Sequence, residues 1–500
     1  MIAPAVSTRG RNLALLAALL GWMFDGMEMG LFPLVGNDAL RELLGDSAPQ
    51  SEVDIWYKIT LACFLVGAAT GGVVFGWLGD MLGRVRAMTI SVLLYSLCSG
   101  FSAASPSPTW LAALRFLGAL GMGGEWTLGV ALVMEIWPNT SRAWLAGWIG
   151  AFGNFGYAIC GSISFALNKT SPGEVQNLIV DIGLPTSLAS ALASHGYWRL
   201  LMLVGAIPAL MTLFIRLFVP ESEKWKREKE SGAASHWSER DLIGVLIGSA
   251  AACGVIVLWG PLSIDLGIRI VGSIVGLFIV IYGYLLPVRG YLARSGLSNE
   301  VKRETLFRML VAAGISGVPL LGTWAGLMWM YQWVPKLPNI EAKQVQEAKA
   351  VLQVVSSIAA AVGCVLAALL GGRFGRRPVY AALCILSLFS MVGFYRLNTE
   401  FGLAFLVSGG IMSLVSAAFY GWLPLYLPEL FRTSVRATGQ GFGFNFGRII
   451  AAAGNLQMSN LLAFFGGDYA KACAVVAGVY IAGLILIYLA PETKGKPLPD

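Results

Sequence analysis

Apolar stretches of about 20 residues, the length a helix needs to cross a hydrocarbon layer of roughly 30 Å, recur along this 500-residue chain. They lie near 12–35, 56–78, 87–104, 109–136, 144–167, 198–219, 241–262, 268–288, 307–335, 349–370, 379–396, 402–427, 437–465 and 471–490, about fourteen in all. Runs apolar throughout exclude a barrel, whose strands alternate over about ten residues. With 56% hydrophobic and 13% charged residues, against about a quarter charged in soluble domains, the chain needs lipid as its solvent. The predicted fold class is an all-α membrane protein. Its 61 glycines suit helices whose backbones approach closely. The first run is too long for a signal-peptide core and no small-residue cleavage site follows, so it reads as a retained span.

The formal charge of +7 reads as basic loops on one side of a membrane rather than a nucleic-acid surface. Placing both termini in the cytoplasm gathers most Lys and Arg there, including the 224–240 and 289–308 segments, Arg373, Arg376 and Arg377. The expected location is the cell inner membrane. The seven cysteines fall in apolar runs with no metal-ligand spacing, so free thiols are expected. The two histidines, His195 and His236, lie outside the runs, which leaves proton chemistry to carboxylates. No GxxxxGK[ST] or HExxH element is present, so ATP is not expected to drive the chain and neither cofactor nor metal is expected. No catalytic constellation is visible.

Short motifs recur at an offset of about 290 residues. Gly79-Asp80-Met81-Leu82-Gly83-Arg84 is matched by Gly371-Gly372-Arg373-Phe374-Gly375-Arg376, and Glu135 with Ser141-Arg142 by Glu429 with Val435-Arg436. The repeat predicts a six-helix bundle over 1–220, a linker with two further membrane helices over 221–305, and a second six-helix bundle over 306–500.

The stretch Gly76-x-x-Gly79-Asp80-x-x-Gly83-Arg84-x-Arg86 resembles the signature loop between the second and third helices of the major facilitator superfamily. Pro220-Glu221-Ser222 and Pro491-Glu492-Thr493-Lys494-Gly495 look like the sugar-porter and related branches. Arg115-x-x-Gly118-x-x-Gly121-x-Gly123-Gly124-Glu125-Trp126, with Asp25-Gly26-Met27-Glu28, is similar to the metabolite–proton symporters, carriers of aromatic acids, shikimate and sialic acid. The two additional central helices resemble the sialate–proton symporters. The resemblance covers essentially the whole chain. It implies two pseudo-symmetric six-helix bundles, a monomer, and proton-coupled symport of a small organic anion, sialic acid or another carboxylate, by alternating access. A proton-coupled carrier of a neutral sugar, or a non-transporting sensor on the same fold, is the alternative; the longest loops offer no soluble signalling domain.

A charge inside a bilayer costs about 2.5–3.5 kcal/mol on insertion scales, so each calls for a partner or a role. Asp25 and Glu28 share a helix face. At 1.5 Å per residue, Glu28 lies about 10 Å, Asp25 about 15 Å and Arg115 about 9 Å from the outer end, so Arg115 can meet either acid. The resemblance to sugar porters implies that Asp25 and Arg115 couple protons; a static ion pair is the alternative. Glu28 and Glu125 are further proton-coupling candidates, with a protonated acid locked by packing as the alternative for Glu125. Arg448 lies about 18 Å beyond Arg436, and with Asn445 it is placed for a substrate carboxylate, which arginine matches bidentately. Asn154, Gln332, Trp329 and Tyr420 are further substrate-lining candidates. The loop residues Gly79, Asp80, Gly83, Arg84, Glu135, Arg142, Arg376, Glu429 and Arg436 are expected to bias the conformational equilibrium rather than touch substrate.

Overall fold

A computed structural model describes residues 8–137, 142–208, 214–215, 218–259 and 264–499. Among them there is no β-strand, as a chain in lipid requires when each helix satisfies its own backbone. Helices α1 (Thr8–Leu44), α2 (Gln50–Leu82), α3 (Arg84–Ser102), α4 (Pro108–Ile136) and α5 (Arg142–Lys169) come first. Two short helices, α6 (Pro172–Asp181) and α7 (Thr186–Ala193), precede α8 (Trp198–Val204), and α9 (Glu223–Glu230) carries the basic stretch. Next come α10 (Leu242–Leu258), α11 (Leu266–Arg294), α12 (Asn299–Ala325), α13 (Val345–Phe374) and α14 (Arg376–Leu397). The chain closes with α15 (Leu403–Ser416), α16 (Phe419–Tyr426), α17 (Arg436–Asn445), α18 (Gly447–Phe464), α19 (Tyr469–Val476) and α20 (Val479–Leu489).

Twelve helical segments among the described residues are long and apolar enough to cross a membrane. The run expected at 198–219 lies partly outside the described residues, as does Ser141 of the repeated motif. The run expected at 437–465 is divided into α17 and α18. Caps set several helix starts: Pro108 sits in the first turn of α4 behind Ser107, and Ser171 with Glu174 forms a capping box on α6.

The two halves meet along two seams, α5 against α13 and α2 against α17 and α18. Glycine makes the second seam possible: a Cβ on Gly441 would stand 2.1 Å from the carbonyl oxygen of Gly72. The helical hairpin α10–α11 packs on α2. There the Thr70 hydroxyl lies 3.1 Å from Ser249 Oγ and 2.7 Å from Tyr284 Oη. The outward side chains of the hairpin, Leu246, Ile274 and Phe278 among them, are exposed, as lipid-facing residues are. Around the centre, α12 ends at Ala325 and gives way to a 3₁₀ turn, and α15 ends at Ser416 before α16. Interrupted helices of this kind occur at membrane depth where they line a cavity.

Gly441→Ala should cost about 1–3 kcal/mol through overpacking at the seam and lower the Tm of the purified chain in detergent. Gly254→Ala, with nothing within 4 Å of the new Cβ, should leave Tm unchanged.

Candidate functional site: a closed basic face below a central cavity

The repeated motifs build matching corners on one face, called here the basic face. Gly83 (φ 114°) and Gly375 (φ 108°) turn the chain from α2 into α3 and from α13 into α14, a conformation that only glycine adopts without strain. Glu221 accepts hydrogen bonds from the backbone N–H groups of Arg84 and Val85 (2.9 and 3.1 Å). Glu492 accepts from those of Arg376 and Arg377 (both 3.0 Å). Each Pro-Glu element therefore supplies a carboxylate to a helix N-terminus, where the dipole favours it. Burial pushes the Glu221 carboxyl up, and its amide donors only partly offset this. At Glu492 burial acts the same way, but the amides outweigh it and hold the carboxyl below its usual range.

The charged side chains then pair across the halves. Arg84 reaches Asp80 at 2.6 Å and Glu135 at 3.2 Å, and donates to the Thr433 carbonyl of the other half at 3.1 Å. Glu135 also binds Arg436 of the other half at 3.0 Å and accepts from the Ser222 hydroxyl at 2.5 Å. Asp80 accepts from the Thr438 N–H at 2.8 Å and hydroxyl at 2.6 Å, capping α17 across the seam. In the second half Arg376 binds Glu429 at 2.6 Å, and Thr493 donates to Glu429 at 2.5 Å. Arg142 has Glu429 of the other half as its electrostatic neighbour. The sequence placed Glu135 with Arg142 and Glu429 with Arg436 within their motifs; in space Arg436 pairs with Glu135 of the other motif, and Arg142 has Glu429 as its foremost electrostatic neighbour without an ion pair between them. This network closes the basic face.

Above it lies a cavity of about 60 Å³ between the halves. That is below the roughly 300 Å³ of a small-molecule pocket, so the state is a contracted one. Asn154, Tyr157, Trp324, Tyr331, Tyr420 and Arg448 line it, with Ser356 and Ser357 on α13. On the basic-face side Phe444 stacks on Trp126, ring centroids 3.7 Å apart. Arg448 is 2% exposed, and its Nε and Nη1 have no hydrogen-bond partner among the described residues. Its guanidinium sits 5.3 Å from the Phe444 ring, and Asp25 is its foremost electrostatic neighbour. A larger vestibule, about 640 Å³, opens on the opposite face.

Several expected residues stand elsewhere. Arg115 pairs with Glu28 rather than Asp25, and Glu28 also accepts from the Ser99 hydroxyl at 2.5 Å. Arg115 is further enclosed by Phe64, 4.5 Å to the ring. Asp25 faces Glu125 instead, and no protein donor reaches either carboxylate. Asn445 points into the helix packing, its Nδ2 3.3 Å from both the Gly123 carbonyl and Thr127 Oγ1. Trp329 and Gln332 line the vestibule, and Trp329 donates to Asn455 at 3.2 Å. Tyr157, Thr323, Ser356 and Ser357 also line the cavity, uncharged residues that a reading of mid-membrane charges passes over. Their only signal was polarity at helical spacing within otherwise apolar runs.

Glu135→Gln should weaken both arginine contacts inside a dry interface, at a cost of about 3–5 kcal/mol. A cysteine introduced at Ala437 should then become reactive to a membrane-impermeant thiol reagent applied from the basic face. Unchanged protection would mean that apolar packing alone holds that face shut.

Comparison with known proteins agrees with this architecture. The family model described as sugar (and other) transporter matches residues 13–241. The niacin transporter NiaP of Acinetobacter baylyi is 24% identical over 486 residues, covering 96% of this chain and 93% of that protein. The cis,cis-muconate transport protein of the same organism is 23% identical over 490 residues, covering 97% and 96%. An Escherichia coli inner membrane metabolite transport protein, YgcS, is 24% identical, covering 87% of this chain and 82% of that protein. Among solved structures, the proton:xylose symporter XylE bound to 6-bromo-6-deoxy-D-glucose superimposes with a TM-score of 0.65 at 19% identity, covering 98% of each chain. The chain is thus a multi-span membrane protein with the major facilitator fold, and its first half matches the sugar (and other) transporter family.

Proposed function

We propose that the chain is a secondary transporter that carries a small organic anion with protons by alternating access, its basic face in the cytoplasm of an inner membrane. The observation that carries this reading is Arg448: a buried guanidinium with two unpartnered nitrogens, facing a cavity between the halves. Burying such a group without a counter-charge is costly, and a substrate carboxylate would supply one bidentately. Aromatic rings and hydroxyls around it suit a ring or unsaturated acid, in keeping with the niacin and muconate carriers among the relatives.

The arrangement also suggests where protons couple. Asp25 and Glu125 face each other with no protein donor between them, and two carboxylates so placed hold together by sharing a proton. Asp25 is at the same time the acid nearest Arg448 in electrostatic terms. When a substrate carboxylate takes Arg448, Asp25 loses its counter-charge and the pair takes up a proton. Substrate and proton then cross together. On this reading Asp25, Glu125 and Arg448 carry the coupling, whereas Arg115, paired with Glu28 and packed on Phe64, tethers α1 to α4.

Uptake into proteoliposomes under an inward proton gradient tests this reading, with niacin, cis,cis-muconate, shikimate, sialic acid and xylose as the panel. One acid should accumulate, and Arg448→Ala should reduce its uptake about 100-fold, the loss of a charge-assisted pair of about 3 kcal/mol. Xylose uptake indifferent to Arg448→Ala would overturn the anion reading in favour of a sugar carrier. Asp25→Asn and Glu125→Gln should retain exchange of labelled substrate yet lose gradient-driven accumulation. Glu28→Gln should lower the yield of folded protein while keeping gradient stimulation.

A further inference from the structure

Lys349 stands apart from the charges discussed so far. It projects from α13 near the vestibule end, is 3% exposed, and lines the vestibule. Among the described residues it makes no hydrogen bond or ion pair; Asp38 is its electrostatic neighbour. The Asp38 carboxylate instead accepts from Gln346 of the other half at 2.9 Å. The Lys349 stem is packed away while the residue borders the vestibule without a direct partner among the described residues, so an entering anion would meet an ammonium not already paired. Arg41, Lys58 and Lys336 line the same space against Asp38, Asp46 and Asp54, so the wall offers a carboxylate cations as well as competing acids.

The position of Lys349 on α13 relates it to the cavity below. Two turns along the helix, about 10 Å, Ser356 and Ser357 line the central cavity opposite Arg448. Between them stands Gln353, fully buried, its Nε2 donating to the Tyr157 carbonyl at 2.9 Å and its Oε1 unpartnered. Its contact also reaches the Gly30 carbonyl, at 3.5 Å. Gln353 thus ties α13 to α5 and α1 of the other half, at a level along α13 between the vestibule and the cavity.

We propose that the vestibule holds a second anion subsite, centred on Lys349, where the carboxylate of an incoming organic acid rests before passing Gln353 to reach Arg448. This rests on the transport reading above and adds the entry step on its outer side. The anion exchanges Lys349 on α13 for Arg448 on α18 across the central cavity. Gln353 must release the Tyr157 carbonyl to let it through.

The test uses a cysteine at Val345, one turn from Lys349 and on the vestibule wall, in the reconstituted full chain. Alkylation by a neutral maleimide is followed with nicotinate or cis,cis-muconate as the probe. An anion at about twice its dissociation constant occupies two-thirds of its sites and should slow labelling about threefold. Lys349→Met should abolish that protection, Lys349→Arg should restore it, and Arg448→Ala should leave it in place. The subsite is refuted if neither anion protects, if protection survives Lys349→Met, or if it vanishes in Arg448→Ala, which would confine the anion to the central cavity. Gradient-driven uptake without protection would refute the subsite and leave symport standing; protection without uptake of any acid would do the reverse.

Discussion

The closed state turns on one carboxylate. Glu135 lies fully buried between Arg84 of its own half and Arg436 of the other, with the Ser222 hydroxyl completing its shell. In a low-dielectric interface a carboxylate shared by two guanidiniums is favourable only while both are present. Separation of the halves on this face therefore requires water to replace several contacts together. Asp80, which caps α17 from across the seam, adds a second such contact within a few residues. Alternating access needs an interface of this kind, stable when closed and able to open cooperatively.

The same physics differs in its result a few turns deeper. At the basic face Asp80, Arg84, Glu135, Arg376, Glu429 and Arg436 each have a charged partner, and the outcome is a latch. At mid-depth two guanidinium nitrogens of Arg448 lack one, which is the ground for the anion site proposed there. Asp25 and Glu125 form a third case, two like groups whose mutual position is tolerable once a proton lies between them. Partner count, more than residue type, separates the structural charges from those assigned to transport.

Twelve of the roughly fourteen expected spans, the recurring corner motifs and their glycines were legible in the sequence because each is a local pattern: apolar length, repeated spacing, a turn that excludes a side chain. The capping roles of Glu221 and Glu492 were not, since they depend on which helix N-terminus the chain returns to. Depth arithmetic put Arg115 level with both Asp25 and Glu28 but carries no information on rotation about the helix axis, and rotation decides that Glu28 is the partner. Asn445 failed for the same reason: three residues from Arg448, it falls on the face turned to α4. The pairing of Arg436 with Glu135 of the other motif is a property of the assembly, and no single half encodes it.

The hairpin α10–α11 is joined to the first half by the Thr70, Ser249 and Tyr284 hydroxyls. Toward the second half it presents mainly hydrocarbon, with Ala252, Ile256 and Leu277 facing Ile449, Ala452 and Leu456 around a gap of about 230 Å³. Such a surface slips without breaking directional bonds. Under the alternating access proposed above, the hairpin would travel with α2 and glide over α18, as a lubricated collar does. The α2–α18 seam can then change its angle while the hairpin keeps acyl chains from wedging into it.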